Sequence, residues 1–329
     1  MRIAVTGSVA TDHLMTFAGR FADSLVAEKL ESLSVSFLVD DLDIRRGGVG
    51  ANIAFGLGVL GLRPLLIAAV GADFDDYRSW LNRHGVDTDA IHVSAERHTA
   101  RFVCTTDAEQ NQIASFYPGA MSEAREIELG PVVERVGGID LVIVGADDPG
   151  AMLNHTQECR QRQIAFAADP SQQLSSLDAQ QITELVDGAS ILFSNEYESA
   201  LIERRTAWSN GEVLERVGTR VTTLGGAGAR VERKGMPPVV VPVPPGVQVA
   251  EPTGVGDAFR AGYLAGIAWD LGVERSAQLG CMLATYVIET LGTQEYLFST
   301  AGFVARLREA YGEAAGADVA RALGVSEDG

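Results

Sequence analysis

The sequence predicts an α/β fold: a doubly wound, mostly parallel sheet flanked by helices, with a small antiparallel β lid. Three observations carry this expectation. Short apolar runs of strand length alternate with helical segments. Polar or glycine residues follow nearly every run, as they do at the carboxyl ends of parallel strands. Two stretches break the rhythm with period-two alternation, the pattern of antiparallel strands with one exposed face.

In chain order, IAVTG at 3–7 is a short run ending in glycine and predicts the first strand. VSFLVDDLDI at 35–44 alternates apolar with polar residues and predicts a strand outside the main sheet. PLLIAAVG at 64–71 returns to the continuous apolar type expected of a strand covered on both faces. TARFVCTTDAEQNQIASFYPG at 99–119 alternates again, so lid strands are expected from about 13–47 and 97–119. DLVIVGA at 140–146, IAFAADP at 164–170, SILFSN at 190–195 and RVTTLGG at 220–226 complete the parallel set. ERSAQLGCMLATYVIETLG at 274–292 repeats its apolar residues at helical spacing. No internal repeat or low-complexity linker interrupts residues 1–329, so a single domain is expected.

Composition narrows the function. An apolar share of 46% in 329 residues is ample for a large core. A net charge of −18 opposes nucleic acid and anionic membranes as partners, because binding a polyanion needs a basic face. Cys104, Cys159 and Cys281 are scattered and form no C-x-x-C pair, which fits a reducing cytoplasm rather than a disulfide framework or a thiolate zinc site. The N-terminus lacks a charged start followed by a long apolar run, and no apolar stretch has the length to cross a bilayer. Lys29 and Lys234 are the only lysines, and neither follows a glycine run, so the P-loop and protein-kinase schemes are absent. No G-x-G-x-x-G follows the first strand, and the histidines show no H-E-x-x-H spacing.

The segment EPTGVGDAFRAG at 251–262 is a glycine-rich turn opening a helix. Pro252 fixes its own φ, Gly254 and Gly256 permit a tight turn, and Ala258, Phe259, Ala261, Leu264 and Ala265 recur at helical spacing. Free N–H groups and the helix dipole favour an anion there. Asp257 in this turn reads either as an ordinary helix cap or as a base beside a bound phosphate.

Four further segments accompany it: GSVATD at 7–12, RRGGVGAN at 45–52, NEYE at 195–198 and TLGGAG at 223–228. Each alone has a plain reading, as a turn aspartate, a tight turn before a helix, a capping pair and a loop. Together with PTGVGDAF, in this order and spacing, they resemble the ribokinase-like (PfkB-type) carbohydrate kinase family across essentially the whole chain. Within it, RFVCTTD, IASFYPGAMSEAR, AFAADPSQQL and LGTQE resemble the bacterial adenosine kinases.

The resemblance implies ATP-dependent phosphorylation of the 5′-hydroxyl of adenosine to AMP, a purine-salvage reaction, with another nucleoside or a sugar as the alternative acceptor. It implies Asp257 as catalytic base and the amides of Gly254, Val255 and Gly256 as an anion hole. A carboxylate at a helix N-terminus is expected to stay ionised at neutral pH. Asp12 would hold the ribose hydroxyls, with Asn52 and the backbone of Gly48 completing the sugar pocket. Phe102 and Phe116 would sandwich the purine, Gln172 and Gln173 would meet its edge, and Ser8 and Ser36 would add hydrogen bonds. Core packing for the aromatics and a solvated loop for the glutamines are the alternatives. Thr253, Asn195, Thr223, Gly225 and Gly228 would contact ATP, and Glu198 would organise Mg²⁺ through water.

Two departures stand out. The family often has Asp two residues before the Thr-Gly pair, at a monovalent-cation (K⁺) site, and this chain has Glu251. The frequent lysine of T-L-G-x-K-G is here Ala227. Exposed lid edges would suit a homodimer.

Overall fold

Period-two alternation sorts the central side chains between two cores. In the computed structural model, which describes residues 1–24, 32 and 34–325, Ile3, Val5, Ile143 and Phe193 enter one core and Ala4, Val142, Val144 and Leu192 the other. A sheet buried on both faces is what the continuous apolar runs predict.

The strands are β1 (Ile3–Thr6), β2 (Ala10–Thr16), β3 (Asp41–Gly47), β4 (Leu65–Ile67), β5 (Ala69–Val70), β6 (His92–Val93) and β7 (Ala100–Thr106). They continue as β8 (Gln112–Tyr117), β9 (Leu141–Val144), β10 (Ala165–Ala168), β11 (Ile191–Asn195), β12 (Thr219–Thr223), β13 (Ala229–Glu232) and β14 (Val239–Val241). The helices are α1 (Phe21–Ser24), α2 (Val49–Val59), α3 (Asp75–Arg83), α4 (Leu129–Val136), α5 (Pro149–Gln161) and α6 (Ala179–Val186). They continue as α7 (Glu196–Thr206), α8 (Asn210–Arg216), α9 (Val255–Ala268), α10 (Gly272–Ile288), α11 (Thr300–Tyr311) and α12 (Glu313–Ala322).

The main sheet has the order β14-β13-β12-β11-β10-β9-β1-β4. It is parallel from β4 to β12, and β13 and β14 add an antiparallel edge. Helices α2, α9 and α10 cover one face, through Ile53, Phe55, Leu264 and Leu283. Helices α4 to α8 cover the other, through Leu129, Met152, Ile182, Ile202 and Val213. This is the doubly wound, mostly parallel sheet flanked by helices that the sequence predicts.

The second sheet runs β3-β2-β7-β8. Its outer pairs are antiparallel and its central pair, β2 with β7, is parallel. Both central strands run outward from the main fold, β2 after β1 and β7 after β6, and β3 and β8 bring the chain back. The hairpin expected at 99–119 is β7 with β8. The strand expected at 35–44 begins only at Asp41, and residues 34–40 are not in a strand. Positions 25–31 and 33, within the expected lid segment, lie outside the described residues.

Other boundaries moved for physical reasons. PLLIAAVG breaks at Ala68: β4 joins the main sheet, while β5 pairs with β6 through Ala69 and His92. The helix expected to 292 stops at Ile288, where the Ile288 carbonyl turns to accept the amides of Ala250 and Glu251 at 2.7 and 3.2 Å. Among the described residues, no helix is long and apolar enough to cross a membrane.

Candidate active site

Strand register assembles one wall of the site. Arg45 pairs with Asp12, Asp12 with Phe102, and Phe102 with Phe116, one residue from each strand of the second sheet. Directly paired residues share a face, so this row points as a unit into a cavity of about 460 Å³. The opposite wall carries Gly48, Asn52, Thr253, Gly254 and Asp257.

The same register corrects the purine sandwich. Phe102 and Phe116 stand side by side on one face, so they form a single apolar wall and cannot close on a ring from both sides. Met121, Ala146 and Gln172 line the remainder of that end. Gln173 also lines it, but its amide is spent internally: Nε2 donates to the Asp147 carbonyl at 2.8 Å and Oε1 accepts from the Ser176 hydroxyl at 2.9 Å. Ser36 is exposed in the stretch before β3 and is absent from the cavity wall, because strand pairing with β2 starts five residues later.

The turn into α2 is stitched to the end of β1. Gly48 has φ +97°, and a Cβ there would fall 2.5 Å from the Ser8 carbonyl oxygen, so only glycine fits. Ser8 lines the cavity, yet its hydroxyl already accepts the Val49 amide at 3.1 Å. Asn52, one turn on, donates from Nδ2 to Asp257 Oδ2 at 2.8 Å. Its Oδ1 takes the Thr293 hydroxyl and Gln294 Nε2, both at 2.9 Å. Gln294 Nε2 also reaches the Tyr77 hydroxyl at 2.5 Å, which donates to the Gly47 carbonyl at 2.9 Å. Asn52, expected at the sugar, thus aims the Asp257 carboxyl through a buried network. The sequence signal for Thr293 and Gln294 was the LGTQE segment, and nothing in the sequence singled out Tyr77.

At the start of α9, Gly254 holds φ +76° as the N-cap and no side chain caps the helix, leaving the amides of Val255 and Gly256 available to an anion. Asp257 is the third helical residue and its carboxyl turns to Asn52, so the plain capping reading is set aside. Burial pushes its pKa up to about 6 from 3.8, against the opposing pull of Arg260 and Asn52. A value of about 6 still leaves this carboxyl mostly ionised at neutral pH, as expected of it, though desolvation has moved it upward rather than down. Arg260, unremarked in the sequence, is buried with Nε 2.5 Å from Asp169 Oδ2 and Nη2 4.0 Å from Glu198 Oε2.

Three other carboxyls share this upward push. Burial raises Asp12 to about 6, with Glu251 adding to the shift and Arg45 opposing it. Burial also raises Asp147 to about 8 and pushes Asp169 upward against the opposing charge of Arg260. These groups hold protons when folded at pH values where the unfolded chain has released them. The native state therefore binds more protons between the unfolded value of 3.8 and about 8, and stability falls as pH rises through that window. Asp73, lowered to about 2 by hydrogen bonds from Thr99 and Arg101 that outweigh its desolvation, acts only below the window. His13 and His155, lowered by burial, oppose the trend on its acid side and are outnumbered by the four carboxyls. Thermal melts should give a higher Tm near pH 5.5 than near pH 8.5. An equal or higher Tm at the alkaline end refutes the assignment.

Of the residues expected at ATP, Thr253 lines the cavity, while Asn195, Thr223, Gly225 and Gly228 are absent from its wall. Asn195 and Thr223 are paired in register at the ends of β11 and β12, and Gly225 follows. Asn195 and Glu198 form a reciprocal capping box at 2.8 Å each way, an arrangement worth about 1 kcal/mol to α7 by itself. Gly228 passes tight against the Val241 carbonyl of β14. Among the described residues, no group of three or more His, Cys, Asp or Glu side chains could hold a metal ion.

Residues 6–300 match the family profile described as pfkB family carbohydrate kinase. The chain belongs to the PfkB family. This PfkB kinase, a phosphotransferase, is 31% identical to the Burkholderia thailandensis nucleoside kinase. The inosine complex of that enzyme superposes with a TM-score of 0.81 over 94% of this chain and 98% of the other. Its ligand-free form superposes with a TM-score of 0.85, over 93% and 99%. The Methanocaldococcus jannaschii nucleoside kinase is 26% identical over 313 residues, 94% of the PfkB kinase described here and 97% of its relative.

Proposed function

We propose that this PfkB kinase transfers the γ-phosphoryl group of ATP to the 5′-hydroxyl of adenosine, giving AMP and ADP. The observation that carries the reading is the row of Asp12, Phe102 and Phe116 facing Asp257 across one cavity. A carboxylate accepts two hydrogen bonds from vicinal hydroxyls, and the phenylalanine wall suits a purine face. Asp257 then lies at the far end, where a 5′-hydroxyl would project. The relative bound to inosine supports a nucleoside in this place.

In this reading the acceptor oxygen attacks the γ-phosphorus as the bond to the β–γ bridging oxygen breaks, and the hydroxyl proton passes to Asp257. Asn52 holds the carboxyl in line, and the amides of Gly254, Val255 and Gly256 stabilise charge on the transferring group. Asn195, Thr223, Gly225 and Gly228 would border the nucleotide, and Glu198 would hold Mg²⁺ through water. The ion, when bound, neutralises phosphate charge. Closure of the lid sheet would exclude water from the transfer.

A second reading, a broader purine nucleoside kinase, is favoured by Gln172, whose amide offers a donor and an acceptor to position 6 of either adenine or hypoxanthine. The deciding assay measures ADP formation with ATP and Mg²⁺ against adenosine, inosine, guanosine, ribose and fructose. Preference for adenosine is expected. Equal use of inosine selects the second reading, and preference for ribose or fructose removes both. A homodimer through the lid would use its outer face, where Leu42, Ile44, Ile113 and Tyr117 are exposed on the side away from the cavity. Sedimentation of the chain at micromolar concentration tests this, and a monomer there removes the proposal.

A further inference from the structure

The resemblance implied a monovalent-cation site built around the residue two positions before the Thr-Gly pair, and the side chains at that place do not fit one. Glu251 occupies the position, and its Oε2 is already taken by Arg45 Nη1 at 2.7 Å and by the Gly292 amide at 2.9 Å. Arg45 Nε donates in addition to Asp43 Oδ2 at 2.6 Å. A potassium ion needs several oxygen lone pairs converging on one point. Here the carboxylate oxygen faces two hydrogen-bond donors, one of them a full positive charge that would repel a second cation.

The connections such an ion would make between segments exist without it. The amides of Ala250 and Glu251 donate to the Ile288 carbonyl, and the Gly292 amide donates to Glu251 Oε2, so three hydrogen bonds join segment 250–254 to segment 288–293 at two points, Ile288 and Gly292. Thr293 in turn lies against Gly254, the N-cap of α9. Arg45 adds a third partner, because it stands on β3 of the lid sheet in the same row as Asp12. One guanidinium therefore links the acceptor wall to the turn that presents the anion-hole amides.

We infer that Arg45 is the built-in cation of this kinase: a positioning residue that holds Glu251 and the Thr253–Gly256 turn in place, so that phosphoryl transfer proceeds without a monovalent metal ion. The inference rests on membership of the kinase family and on these contacts, whichever acceptor the enzyme takes.

The test compares KCl, NaCl and tetramethylammonium chloride at equal ionic strength, by kcat with ATP, Mg²⁺ and the best acceptor, and by thermal melts without substrates. Wild type should show the same kcat and the same Tm in all three salts. Arg45→Met should lose kcat by about tenfold or more, since the turn it steadies presents the stabilising amides. Arg45→Lys, which keeps the charge but not the forked contact, should recover part of that loss. Several-fold activation of wild type by K⁺ over tetramethylammonium, a K⁺-specific rise in Tm, or wild-type kcat in Arg45→Met each overturns the inference. A melt of Arg45→Met separates a lost fold from a lost contact, and in that event Arg45→Lys and the wild-type salt series decide. Absence of turnover with every acceptor tried counts against the adenosine reading alone, and the melts still judge the cation.

Discussion

Asp257→Asn folds and binds nucleoside but loses kcat by roughly 100- to 10,000-fold, the usual worth of a positioned general base. The substitution is nearly isosteric, and an asparagine oxygen can still receive Asn52 Nδ2, now 2.8 Å from the carboxylate, so the buried network persists. What disappears is the proton acceptor. The wild-type profile should reveal the same group: kcat should fall as pH drops below about 6, where burial has placed the Asp257 pKa, because protonation removes the base. The variant should lack that limb. Near-normal turnover by Asp257→Asn, or an unchanged acid limb in it, removes Asp257 from the role.

Gly254→Ala should lower kcat by roughly 100- to 1,000-fold, the scale seen when one donor of an anion-stabilising pocket is lost. Gly254 holds φ +76°, a conformation that L side chains rarely adopt and that costs about 1–3 kcal/mol when forced. The added Cβ would sit 2.8 Å from Thr293 Cγ2 and 2.9 Å from Thr293 Cβ. Thr293 has little room to yield, since its hydroxyl lies 2.9 Å from both Asn52 Oδ1 and the Arg46 carbonyl oxygen. Any displacement therefore reaches Asn52 and, through it, Asp257. Steady-state kinetics beside urea unfolding separates the effects: kcat should fall far more than the stability loss explains. A variant with wild-type kcat shows that the turn amides at Gly254 do not carry the transfer.

Local signals were strong wherever a residue's surroundings repeat along the chain. A strand covered on both faces is largely apolar at consecutive positions, which is why β1, β9, β10 and β11 stand out in IAVTG, DLVIVGA, IAFAADP and SILFSN. Strand β2, ATDHLMT, did not: it has no continuous apolar run, only its residues 13–16 fall in the expected lid segment, and its cavity face mixes Asp12 with Ala10 and Leu14. The glycine turn at 254–256 was readable for the same local reason: positive φ and free helix amides depend on neighbours in sequence. The reading of Asn195 with Glu198 as a capping pair needs only four consecutive residues, and that pairing is present.

The contacts that set the chemistry span the chain instead. Asn52 meets Asp257 across 205 residues, Gln294 meets Asn52 across 242, and Arg45 meets Glu251 across 206. No periodicity encodes such meetings, because each depends on how separate helices and sheets pack. The side-by-side placement of Phe102 and Phe116 was likewise a matter of register between strands. The sequence by itself determined the parallel sheet, the glycine turn that opens α9 and the family, all from residues whose meaning is local or whose order lies along one line of text. Tertiary structure alone decided which way Asn52 points, how far burial raises Asp257, and that an arginine from the lid occupies the partner position of Glu251. Burial and charge pairing act through space, and a one-dimensional pattern carries no distances.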